Sequence, residues 1–186
     1  MITYEKFFKA HRFKCSCGIE HILPITEIIV GNGAIKNLED INYRLKLSKK
    51  GIVVTDNLIY RKLGSQILDI FKKGKCNIKF SVFSSKTIIA LEKALVKILN
   101  DLDVDTEFLV AVGSGTINDL VRFISFKINK PYISIPTAPS MDGYTANVSL
   151  LINNGFKSFI ELFDPIAIYA DTKILKNVPD VFIAAG

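Results

Sequence analysis

The chain lacks most of the features that assign a protein at first sight. Its 186 residues hold three cysteines, Cys15, Cys17 and Cys76, too few for a disulfide framework. No apolar run approaches the ~18 residues that a membrane helix needs, so membrane insertion is not expected. The opening MITYEKFFKAHRFK is charged and has no continuous apolar stretch, so it does not read as a secretory signal. Internal repeats and low-complexity segments are absent. So is any long basic block or aromatic RNA-binding signature, which argues against nucleic acid as a partner. Lys and Arg (24) do outnumber Asp and Glu (18). The lysines are scattered, however (Lys46, Lys49, Lys50; then Lys72, Lys73, Lys75), and suit a solvated surface that still tolerates a small anionic ligand. Histidine is nearly missing, with His11 and His21 alone. Cys15-Ser16-Cys17 followed by His21 departs from the usual C-x2–4-C spacing of zinc sites, and no second ligand pair follows. The expectation is reduced thiols in a cytoplasmic protein.

What is present suits one globular domain. A chain of this length corresponds to about one domain and buries about 70% of its unfolded surface. With 49% hydrophobic and 23% charged residues, it is neither a disordered tail nor a fibre. Short β-branched runs recur at residues 27–30, 51–55, 78–83, 108–112 and 132–135, near-continuously apolar as in strands buried on both faces. Between them lie amphipathic stretches. Residues 57–73 align Leu58, Ile59, Leu63, Ile67, Ile70 and Phe71, and residues 86–99 align Ile88, Leu91, Leu95, Ile98 and Leu99. Alternation of this kind predicts βαβ units, hence an α/β, doubly wound, mainly parallel sheet. Residues 147–152 and 156–161, around Asn153-Asn154-Gly155, predict an appended β-hairpin, because Asn and Gly tolerate positive φ. A last apolar run, Ile166 to Tyr169, leads to Asp171. Residues 178–186 read as the start of a helix with no C-cap, a first hint of a longer protein.

Three loops carry candidate chemistry. The strand FLVAV (108–112) runs into Gly113-Ser114-Gly115 and then a helix with the stripe Ile117, Leu120, Val121, Ile124 and Ile128. Glycines there let backbone approach a ligand, and the free N–H groups of the helix favour phosphate. Asp119 is expected in the first turn, where a carboxylate suits the dipole. An ordinary tight turn is the alternative, since Asn118 stands where a G-x-G-x-x-G motif has its third glycine. Asp56, ending the second strand, suits either the ribose hydroxyls of a dinucleotide or a helix N-cap. The segment Ile135 to Gly143, rich in turn formers and hydroxyls, follows a strand, where α/β sheets bind ligands. Asp142 there also fits a plain turn, and Asp171 an N-cap before Thr172.

Taken together, G-S-G-T-x-x-D, then I-P-T-A-x-S-x-D-G about 20 residues on, then A-D-T-x-x-L, closely resemble the glycerol-1-phosphate dehydrogenases. These belong to the iron-containing-type polyol dehydrogenase superfamily and are related in fold to dehydroquinate synthases. The resemblance runs from about Cys15 to Gly186. It implies a Rossmann-like domain binding NAD or NADP, with Asp56 on the ribose, Gly113, Ser114, Gly115, Thr116 and Ile117 at the pyrophosphate, and Asp119 also among the cofactor-binding residues. Thr137, Ala138, Pro139 and Ser140 would line the nicotinamide side. Asp142 would bind substrate, and Asp171 would bind substrate and a divalent metal ion, zinc or similar. Relatives often carry Ser four residues after the substrate Asp; here that residue is Ala146. The implied reaction interconverts dihydroxyacetone phosphate and sn-glycerol-1-phosphate in phospholipid metabolism. The alternatives are a glycerol or polyol dehydrogenase of the same superfamily, or a non-catalytic nucleotide-binding fragment. Family members are about twice this long and draw two His metal ligands from a C-terminal helical domain. The expected organisation is therefore an N-terminal extension (1–26), a nucleotide-binding domain (27–172), and the start of a linker or helix (173–186) into a second domain absent from this chain. Alone, the chain is expected to be inactive and to hold no stoichiometric metal. Self-association into a homo-oligomer stays open.

Overall fold

The computed structural model describes residues 2–3, 12–22, 24–47, 49–84, 88–90, 92–140, 143–146, 148–153, 156–180 and 184. Strands β1 (Ile2–Thr3), β4 (Glu27–Gly31), β5 (Lys50–Asp56), β6 (Asn77–Phe83), β7 (Phe108–Gly113), β8 (Tyr132–Pro136) and β11 (Ala167–Asp171) form one sheet in the order β1-β4-β11-β8-β7-β5-β6. Six of these strands run parallel, and β1 pairs antiparallel with β4 at one edge. Hence the first residues of the expected N-terminal extension join the main sheet. Two small antiparallel sheets stand apart: β2 (Arg12–Lys14) with β3 (Glu20–Ile22), and β9 (Val148–Asn153) with β10 (Phe156–Glu161). The second is the expected hairpin. Its turn residues, Asn154 and Gly155, lie outside the described residues.

Helices α1 (Ile41–Leu45), α2 (Asn57–Lys73), α3 (Glu92–Asp101), α4 (Gly115–Ile128) and α5 (Thr172–Leu175) connect the strands, with a 3-10 segment over Ala34–Asp40. Every residue of β7 and β8 is buried, as a strand covered on both faces requires. Successive residues point to opposite faces. Val53, Val110 and Val112 accordingly pack with Leu38, Ile67 and Phe71 on one side. Ile52, Val54, Leu109 and Ala111 pack with Ile98, Leu120, Val121 and Ile124 on the other. Gly51 is required where β5 passes β7, since a Cβ there would overlap the Phe108 ring. Two elements differ from the reading of periodicity. Leu58 is 62% exposed: it sits at the first turn of α2, beyond the sheet it was expected to cover. The helix expected from residue 86 starts at Glu92; Ala90 reaches the same core from the preceding loop, while 85–87 and Leu91 lie outside the described residues. Most of the helix expected over 178–186 also lies outside them. Among the described residues, no helix is long and apolar enough to cross a membrane.

Candidate functional site

The strand order dictates where a ligand can enter. From β5 the chain goes outward to β6, then returns to place β7 on the other side of β5. The connections leaving the C-terminal ends of β5 and β7 therefore depart to opposite faces and leave a crevice, the usual ligand position in an open parallel sheet. A cleft of about 720 Å³ opens there. It is lined by Asp56 after β5, Ser114 and Gly115 after β7, Thr137, Ala138 and Ser140 after β8, and Asp171 at the end of β11. Exposed Leu58 belongs to its wall, as do Lys62 and Lys173. A second hollow of about 500 Å³ shares Asp56, Leu58 and Ser114 and adds Arg61 and Ser84.

The loop after β7 meets the terms of an anion site. Ser114 is the N-cap of α4, yet its side chain makes no capping bond, and the first turn holds no acidic residue. The leading N–H groups are thus not met by a side-chain cap or countered by a carboxylate. Gly113 has φ 158°, and a Cβ there would crowd Ile117 at 3.0 Å. The N–H of Thr137 donates to Gly113 O at 3.3 Å, joining the loops after β7 and β8.

The remaining candidate residues divide by position. Asp56 is an N-cap: Oδ1 accepts from the Ile59 N–H at 2.9 Å. Asp171 is also a cap, accepting from the Lys173 N–H at 3.0 Å. It further accepts from Gly33 N–H at 3.1 Å and Ile35 N–H at 3.4 Å, while only 2% exposed. Capping and facing the cleft are therefore compatible roles for both acids. Thr116 and Pro139 are half-buried, and Ile117 is fully buried in the core, so its side chain faces α4's packing rather than the cleft. Asp142 lies outside the described residues.

Asp119 requires a correction. Helix α4 begins at Gly115, so Asp119 falls in its second turn. There its carboxylate pairs with Arg122 at 3.3 Å. Sequence reasoning passed over Arg122, which is fully buried on α4. Its guanidinium donates to Tyr132 Oη (2.9 Å), Val148 O (2.5 Å) and Gly143 O (2.6 Å). Burial, partly offset by Arg122, pushes the Tyr132 hydroxyl up to about 12. Tyr144 then donates to Ala138 O, so Arg122 supports the cleft loop through the turn at 143–145. The available signal was an arginine amid the apolar stripe of a helix. Asn118, in the place of the third glycine, is buried and accepts from Ser134 Oγ at 2.8 Å.

The expectation of separate reduced thiols is also corrected. The chain turns at Cys15, with the Gly18 N–H donating to Cys15 O at 3.1 Å and Gly18 at φ 79°. That turn brings Cys15 and Cys17 together, and their sulfurs are joined as a disulfide across Cα atoms 5.3 Å apart. Cys76 is free and buried, and burial raises its thiol above the ordinary range.

Among the described residues, Asp171 belongs to no group of three potential metal ligands. It fits a metal ion as one oriented oxygen donor, and the uncapped start of α4 fits the phosphates of a nucleotide.

Residues 29–179 match the family model described as iron-containing alcohol dehydrogenase. The chain is 36% identical over 180 residues to a glycerol-1-phosphate dehydrogenase [NAD(P)+] of Geobacillus stearothermophilus, covering 93% of this chain and 44% of that protein. It is 31% identical to the Methanosarcina barkeri protein of the same name, covering 86% and 44%. The crystal structure of glycerol dehydrogenase from Schizosaccharomyces pombe has the same fold, with a TM-score of 0.73 at 23% identity over 85% of this chain and 40% of that one. The chain thus spans less than half the length of these relatives, and it belongs to the iron-containing alcohol dehydrogenase family.

Proposed function

We propose that this chain is the nucleotide-binding part of an NAD(P)-dependent glycerol-1-phosphate dehydrogenase, an oxidoreductase that interconverts dihydroxyacetone phosphate and sn-glycerol-1-phosphate. The observation that carries the reading is the cleft at the sheet's switch point, where Asp56, Ser114, Gly115, Thr137, Ala138, Ser140 and Asp171 meet. The names of the relatives supply the substrate.

In this reading residues 27–172 form the nucleotide domain. Backbone N–H groups from Gly115 onward hold the pyrophosphate, and Asp56 accepts from the adenosine ribose hydroxyls while capping α2. Thr137 to Ser140 orient the nicotinamide. The nucleotide supplies the hydride, and a divalent ion supplies Lewis acidity at the ketone oxygen. Asp171 is the chain's ligand for that ion. Its backbone N–H donors aim the carboxylate and occupy Oδ1 more than Oδ2, as outer partners do around metal ligands. Asp142 contacts substrate. Lys62 and Lys173 on the cleft wall add positive potential for phosphorylated ligands.

Titration with NADH, followed by nicotinamide fluorescence, tests the reading. Wild type should bind at one site. Gly115→Val should weaken binding by one to two decades, because a branched side chain displaces the pyrophosphate and removes about one charge-assisted bond of ~1.5–3 kcal/mol. Absence of NADH binding, or equal affinities, would make the loop a turn and overturn the proposal. A longer chain including the remaining length of the relatives should oxidise NADH with dihydroxyacetone phosphate, and Asp171→Asn should stop it.

A further inference from the structure

We propose that Cys15, Cys17 and His21, outside the nucleotide cleft, form a second metal site that takes a thiophilic divalent ion, zinc above all, when the two cysteines are reduced.

The ligand atoms already converge. The two sulfurs and a ring nitrogen of His21 all lie within 4.8 Å of one another. Two bonds of about 2.3 Å to one ion span at most ~4.6 Å, so a single ion reaches all three after a small relaxation. The disulfide explains why two of these atoms meet. It does not explain the third. A disulfide sulfur has no proton to donate and accepts weakly. Even so, His21 Nε2 stands 3.0 Å from Cys15 Sγ and 3.1 Å from Cys17 Sγ, equidistant from both. That arrangement suits a nitrogen sharing one centre with two sulfurs. The Cys17 N–H also donates to Cys15 Sγ at 3.2 Å, a contact that stabilises charge on a thiolate.

The local fold builds the cluster. The turn at 15–18 sets the sulfurs on one side, and the pairing of Phe13 with His21 and of Lys14 with Glu20 returns the histidine across the hairpin. Residues 16–18 are exposed and Cys15 is half-buried, so an ion enters from solvent. Two thiolates and a neutral imidazole form a soft donor set that favours zinc over magnesium or calcium. With three protein ligands the fourth position is left to water or an outside donor.

Binding is linked to redox state. A dithiol or phosphine reductant adds two electrons and two protons to the sulfur–sulfur bond. A zinc ion then displaces both protons and binds two thiolates, and the site as a whole is neutral. Oxidation to the disulfide removes both ligands and releases the ion.

The test uses the 186-residue chain reduced with a phosphine under anaerobic conditions, loaded with zinc or cobalt(II), desalted and analysed for metal. About one equivalent should be retained, and the cobalt form should show a near-ultraviolet thiolate charge-transfer band. The Cys15→Ser/Cys17→Ser double variant should lose both signals, and His21→Ala should weaken retention by at least about tenfold. Asp171→Asn should keep them, which separates this site from the cleft. NADH titration of each variant reports that the main domain is folded. Loss of all metal from the reduced wild type overturns the proposal. So does metal that survives in the double cysteine variant, or a disulfide that re-forms in the presence of zinc.

Discussion

Replacing Arg122 with leucine should destabilise the chain more than most single changes at the cleft. The side chain is fully buried and meets four partners on four elements: Asp119 on α4, Tyr132 on β8, Gly143 in the turn and Val148 on β9. Leucine fills part of the volume but removes the donor that two carbonyls and a phenol share, together with the charge paired with Asp119. Asp164, whose carboxyl burial already pushes above the ordinary range, loses the positive charge that offsets this. Removing one member of a buried ionic network costs about 3–5 kcal/mol. At roughly 2–4 °C per kcal/mol for a chain of this size, the melting temperature should fall by about 6–20 °C. Arg122→Lys should recover less than half, because one ammonium cannot span sites fanned around a guanidinium. Urea titration with a check of constant m measures the loss, and hydrogen exchange shows whether residues 143–153 open first. A change below about 1 kcal/mol, with protection of 143–153 intact, would refute the view that Arg122 ties the hairpin and turn to the sheet.

Gly51→Ala should cost about 1–3 kcal/mol by forcing a Cβ against the buried Phe108 ring, and Phe108→Leu in the same chain should return part of it; urea midpoints that match wild type would refute the packing. Asp101 accepts from Ser81 Oγ at 2.6 Å and Lys97 Nζ at 2.7 Å. Burial raises its pKa, but those two contacts outweigh burial and hold it below the ordinary carboxylate value. A depressed folded-state pKa stabilises above the unfolded value and is lost as pH falls through the folded one. Asp101→Asn should therefore be less stable by up to about 1 kcal/mol at pH 7, a figure reduced for partial exposure, and the gap should close below pH ~4 in melts across pH 2–7.

Much of this molecule was legible in the order of its residues. Runs such as Phe108 to Val112 exceed what a one-faced strand carries, and alternate with stripes of helical period. Local sterics and burial then leave a parallel sheet between helices as the consistent result. Asp56 and Asp171 read as caps from their neighbours alone, because an N-cap bond closes within three residues. Asn153-Asn154-Gly155 marked the hairpin for the same local reason. What escaped the sequence depended on partners far along the chain. Nothing near Arg122 announces that Gly143 and Val148 carbonyls will close over it, or that Asp119 will turn to it from the second turn of α4. Leu58 follows the helical period yet lines a cleft, since it stands in the first turn of α2, just past the end of β5. The convergence of Cys15, Cys17 and His21 was not legible in their spacing, because spacing along a strand ignores the partner strand that returns the histidine. Strand order decided the cleft itself: the same βαβ units wound in another order would leave Asp56 and Gly115 far apart. Local pattern is set by covalent neighbours, whereas a site is set by which distant backbones the burial of both sheet faces brings side by side.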